Sequence, residues 1–90
     1  MLRIWGKIMN GGQMLNDYVA ESDNRNLSLS DRLDACMDEM SRFFDLPKPI
    51  WLDRNYDELN RFGRTSFRQD HFIEPINFRQ LDIEILEMED

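Results

Sequence analysis

Leu2-Arg3-Ile4-Trp5-Gly6-Lys7-Ile8-Met9, Asn10-Gly11-Gly12-Gln13 and Met14-Leu15-Asn16-Asp17-Tyr18-Val19-Ala20 form, in that order, two alternating runs about a glycine-rich centre. Glycine reaches the positive φ angles that tight hairpin turns require, so the segment predicts a β-hairpin. Two registers compete. With Asn10-Gly11 as the loop, Ile4 faces Asp17 and Ile8 faces Gln13, and each apolar residue opposes a polar one. With Gly11-Gly12 as the loop, or a wider four-residue one, Ile4 pairs with Val19 and Ile8 with Leu15. A slip of one residue sends a strand's side chains to the other face, so the second register is the one that assembles a core. It also sets Trp5 opposite Tyr18 and Met9 opposite Met14, and aromatic cross-strand pairs are stabilising by about 0.2–1 kcal/mol.

That register divides the hairpin into two surfaces. Ile4, Ile8, Leu15 and Val19 face a layer of helices, while Arg3, Trp5, Lys7, Met9, Met14, Asn16 and Tyr18 face outward. Contiguous exposed apolar groups tend to mark interaction sites. Trp5, Met9, Met14 and Tyr18, flanked by Arg3 and Lys7, are therefore the candidate interaction surface.

Downstream, Ser28-Leu29-Ser30-Asp31 has the form of a helix cap with an acid in the first turn. Leu33, Cys36, Met37, Met40, Phe43 and Phe44 follow at three- and four-residue spacing, which predicts an amphipathic helix ending before Pro47. A second, shorter helix is predicted from a cap at Asp53 to a stop at Gly63, with Leu52, Tyr56, Leu59 and Phe62 inward. Residues 64–78 read as a turn and an irregular loop bringing Phe67, Phe72, Ile73, Ile76 and Phe78 to the core. Leu81, Ile83 and Ile85 alternate with Asp82 and Glu84, a period-two strand. Beside the first strand, its acids can approach Arg3 and Lys7, which favours the order 2-1-3. Leu86 and Met88 are expected on the outer side with Trp5. The fold expected is α+β: one domain over residues 1–90, a three-stranded antiparallel sheet made of the N-terminal hairpin and the C-terminal strand, and two helices on one face.

The net charge of −7 argues against non-specific nucleic-acid binding, which needs clustered positive surface. The acids Glu84, Glu87, Glu89 and Asp90 crowd the C-terminus, whereas residues 54–79 carry Arg54, Arg61, Arg64, Arg68 and Arg79. Arg61, Arg64 and Arg68 are candidate contacts for an anion or acidic partner, because guanidinium forks hold carboxylates and phosphates bidentately. A single Cys36 gives no internal disulfide and suits a reducing compartment; its place in the helix stripe predicts burial. The N-terminal run is broken by Arg3 and Lys7 and does not read as a signal peptide. No apolar stretch approaches the ~20 residues of a membrane span.

His71 is the one histidine, in Gln69-Asp70-His71-Phe72-Ile73-Glu74. A metal or catalytic role would need companion ligands or a nucleophile, and neither pattern is present. The expectation is a partly exposed loop histidine hydrogen-bonded to backbone or a carboxylate. No cofactor is implied. The function expected is that of a small non-catalytic cytoplasmic interaction or regulatory domain, most simply a homodimer joined through its aromatic and methionine face. An acidic inhibitor mimicking nucleic acid is the second reading, and a small enzyme or ligand-binding protein using the His71 region the third.

Overall fold

The computed structural model describes residues 1–88. Glu89 and Asp90 of the acidic C-terminus lie outside the described residues. The chain runs β1 (Leu2–Asn10), β2 (Gln13–Ser22), α1 (Leu29–Phe44), α2 (Asp53–Phe62), β3 (Arg64–Phe67), a single 3-10 turn (Gln69–His71) and β4 (Gln80–Met88). The fold is α+β with an antiparallel sheet, but the sheet has four strands, in the order β2-β1-β4-β3. The C-terminal strand lies beside β1 as its charge pattern suggested. The extra strand is β3, read from sequence as irregular.

The hairpin turns at Gly11-Gly12, with Asn10 opposite Gln13 and Met9 opposite Met14. One step on, the register shifts: Ile8 faces Asn16, and Leu15 is the extra residue of a β-bulge. Every later position of β2 is thereby displaced by one. Ile4 pairs with Ala20, not Val19, and Trp5 with Val19, not Tyr18. Ala20 is buried and Leu15 is 49% exposed, the reverse of the expected assignment. A second bulge, between Arg3 and Ile4 in the β1–β4 pairing, leaves Leu86 unpaired and exposed and puts Met88 opposite inward-facing Leu2. Met88 therefore lies on the helix side, beside Leu59 and Ile85.

Ser28 caps α1 through its hydroxyl, which accepts from the Asp31 amide at 3.1 Å. Asp45 ends the helix in the left-handed region, at φ 56°. Cys36, Met37 and Met40 of α1 are buried against Leu2, Ile4, Ile8 and Ala20; Leu33 and Phe44 pack at the margin of this core. Gly6 points at the same helix. A Cβ on it would fall 2.2 Å from the Met40 sulfur, so the bare backbone lets the helix settle on the strand.

The second helix is turned from its expected phase. Its buried positions are Asn55 and Leu59, while Leu52, Tyr56 and Phe62 are exposed. Asn55 is an anchor. Its Oδ1 accepts from the Leu52 amide at 2.9 Å, and its Nδ2 donates to Thr65 Oγ1 at 2.9 Å and to the Ser66 carbonyl at 3.1 Å. One buried amide thus starts α2 and fastens β3 to it. Phe67, wholly buried, extends the core with Phe72, Leu81 and Ile83.

Cys36 is wholly buried, and burial, reinforced by Glu39 and Glu21, pushes its thiol up to about 11 from 9.0. The folded state thus holds this proton more tightly than the unfolded chain. Stability contributed by the neutral thiol is present below pH 9.0 and is lost as pH rises toward about 11. Wild type should lose stability across that window relative to Cys36→Ala, as measured by urea unfolding at a series of pH values. Native Cys36 should also react far more slowly with a thiol reagent than it does in denaturant.

Candidate functional site

Both helices cover the same side of the sheet, and the other side presents every second residue of each strand. In β1 these are Arg3, Trp5, Lys7 and Met9; opposite them stand Glu21, Val19, Asp17 and Met14 of β2, and Glu87, Glu84, Asp82 and Gln80 of β4. Trp5 is at the centre. Its indole Nε1 donates to Asp17 Oδ2 at 2.9 Å, and the Lys7 ammonium lies 4.3 Å from the ring centroid, within cation–π range. Arg3 Nε is 3.1 Å from Glu21 and its Nη1 is 4.0 Å from Glu87, while Lys7 reaches Glu84 at 3.7 Å. These pairs are partly exposed, so each is worth little in stability, but together they hold the long side chains over the sheet.

Five of the six residues expected on this surface are there: Arg3, Trp5, Lys7, Met9 and Met14. Tyr18 is not. The bulge turns it inward, where it stacks on Phe43 with centroids 4.2 Å apart and donates its hydroxyl to Glu39 at 2.7 Å. That hydrogen bond is the main reason its phenol is raised above the ordinary tyrosine range. Val19 takes its place beside Trp5.

Along the β3 margin the open face runs into a cleft of about 330 Å³, lined by Lys7, Arg54, Glu58, Phe62, Arg64, Thr65, Ser66, Arg68, Asp82, Ile83 and Glu84. Of the three arginines expected to meet an anion, Arg64 and Arg68 are in this cleft. Arg61 is elsewhere, paired with Asp57 one helical turn away at 3.1 Å. Arg54 takes its place in the group. The carboxylates in the cleft are engaged: Glu58 accepts from Thr65 at 2.6 Å, and Asp82 accepts from Ser66 and from Gln80, both at 2.6 Å.

Behind the cleft lies His71, which is 1% exposed and so not the loop residue anticipated. Its ring meets the edge of Phe67, with centroids 5.5 Å apart. The Arg68 amide approaches Nδ1 at 3.1 Å and Arg54 Nη2 approaches Nε2 at 3.1 Å. A neutral ring offers one lone pair to these two donors. Asp70 Oδ1, 3.0 Å from Nδ1, favours a hydrogen there and leaves Nε2 to accept from Arg54. The histidine therefore braces an arginine from within the core. Among the described residues no three His, Cys, Asp or Glu side chains are grouped to hold a metal ion. No described helix is long and apolar enough to cross a membrane. The chain matches no family model, no curated protein and no solved structure.

Proposed function

We propose that this chain is a non-catalytic, cytoplasmic protein-interaction domain that works through the open face of its sheet, with a second copy of itself as the simplest partner. The observation that carries this reading is the placement of both helices on one side. That arrangement leaves Trp5, Met9, Met14 and Val19 on a face that no other layer of the described residues covers. Tryptophan is enriched among the residues that dominate binding energies, and methionine adapts to a partner's contours. Lys7 and Asp17 hold the indole in place, so little side-chain freedom remains to be lost on association. Glu21, Glu84 and Glu87 are each answered by Arg3 or Lys7 on the same face. That pairing favours an interface over mimicry of nucleic acid, which needs carboxylates free to meet a partner's cations.

The test is sedimentation over a range of concentrations. Wild type is expected to show a mass that rises with concentration, and Trp5→Ala with Val19→Ser should weaken association by about tenfold or more. Circular dichroism should show the variant still folded, because both side chains lie outside the core. A monomeric wild type at high micromolar concentration would remove the homodimer.

A further inference from the structure

We propose that the cleft beside β3 is a binding site for a small organic phosphate, its phosphoryl group held by Arg54, Arg64 and Arg68. The argument begins with charge. In a chain of net charge −7, this cleft gathers four cations, Lys7, Arg54, Arg64 and Arg68, against three acids. The acids are already occupied: Glu58 by the Thr65 hydroxyl, Asp82 by Ser66 and Gln80, and Glu84 by Lys7. The three guanidiniums are not. Among the described residues Arg64 and Arg68 have no ion-pair partner, and Arg54 contacts the His71 ring and no carboxylate. Three unanswered guanidiniums exceed what one carboxylate can engage, whereas a phosphoryl dianion presents three acceptor oxygens to their forks.

The framework holding them is fixed from behind. His71 braces Arg54 from a fully buried position, and Asn55 ties α2 to β3, so Arg54 is held next to the strand that carries Arg64 and leads into Arg68. Two further features narrow the ligand beyond a bare anion. Asp82 and Glu84 each engage one carboxylate oxygen, which leaves the second to accept from donors such as sugar hydroxyls. Phe62, 64% exposed, gives the rim an apolar ring on which a flat group can rest. The volume, about 330 Å³, lies within the range of small-molecule sites. This inference does not rest on the sheet-face reading, although the two sites adjoin: Lys7 and Glu84 belong to both, and Arg64 stands opposite Glu84 in the row that contains Trp5.

Calorimetric titration of the full chain tests it, using adenosine 5′-monophosphate, ribose 5-phosphate, inorganic phosphate and adenosine as probes. Saturable binding of at least one of the two organic phosphates, stronger than that of inorganic phosphate or adenosine, is the expected result. Arg64→Ala with Arg68→Ala should weaken it about tenfold or more, while Arg61→Ala, outside the cleft, should leave it within about twofold. The proposal is overturned by no saturable binding of either organic phosphate up to about 10 mM, by adenosine binding as tightly as the organic phosphates, or by equal loss in the Arg61 variant. Binding of inorganic phosphate as tight as that of the organic probes also overturns it, by reducing the cleft to a simple anion site.

Discussion

Phe67→Ala is expected to destabilise the chain by about 3–5 kcal/mol, measured by urea unfolding with the slope held as a check on two-state behaviour. The ring is wholly enclosed, packed edge-on to Trp51 at 5.1 Å and to His71 at 5.5 Å between centroids. Truncation forfeits the transfer free energy of the ring and leaves a cavity beneath β3 that the buried His71 cannot fill without leaving Arg54. A small domain is stable by only about 5–15 kcal/mol, so this variant should approach unfolding at ambient temperature. Phe62→Ala is the matched control. Phe62 is 64% exposed, and its truncation should stay within about 0.5 kcal/mol. Equal losses at the two positions would show that α2 is turned the other way.

Asn55→Ala should be nearly as costly, about 2–4 kcal/mol, though it removes far less volume. The side chain is wholly buried and makes three hydrogen bonds. Its loss orphans the Leu52 amide and the Ser66 carbonyl, both part-buried, and leaves a void where the enclosed amide stood; an unpaired buried group costs more than the bond itself gained. Thr65 keeps a partner in Glu58, so the damage should centre on the start of α2 and the outer side of β3. Hydrogen exchange would show it as loss of protection at β3 ahead of β1 and β4. Asn55→Asp should not rescue the fold. A carboxylate keeps the Leu52 cap but turns an acceptor toward the Ser66 carbonyl.

How far the fold could be read from sequence depended on the length over which a period persists. The nine residues of β1, the sixteen of α1 and the alternation in β4 each repeat often enough to declare themselves. β3 has four residues, and the two inward ones, Thr65 and Phe67, are too few to establish a period. The phase of α2 was misread for a chemical reason. Apolar spacing picks out Leu52, Tyr56, Leu59 and Phe62, of which Leu59 alone is buried; the side facing β3 needs a polar group to satisfy strand backbone, and Asn55 supplies it. The hairpin register failed at a single residue. A bulge at Leu15 leaves no mark in composition, and Tyr18 and Val19 are each apolar enough to face either way. The arginine cleft was legible at Arg64 and Arg68, which lie in or directly after β3. Arg54 could not be added to them without knowing that α2 lies along the same strand.

The fastening of β3 also bears on how copies of this chain could join. The Gly63 carbonyl accepts from the Ile85 amide at 2.8 Å, so alternate residues from Gly63 onward bond to β4, and the backbones of Arg64, Ser66 and Arg68 face away from the sheet. Three of those groups are taken or shielded. The Ser66 carbonyl accepts from Asn55, the Arg68 carbonyl from the His71 amide, and the His71 ring stands against the Arg68 amide. The other margin of the sheet is β2. Antiparallel pairing of two β2 strands would give eight strands with a β3 margin at each end. Asn55 and His71, polar residues buried in the core, thereby make the β3 margin a poor template for a further strand.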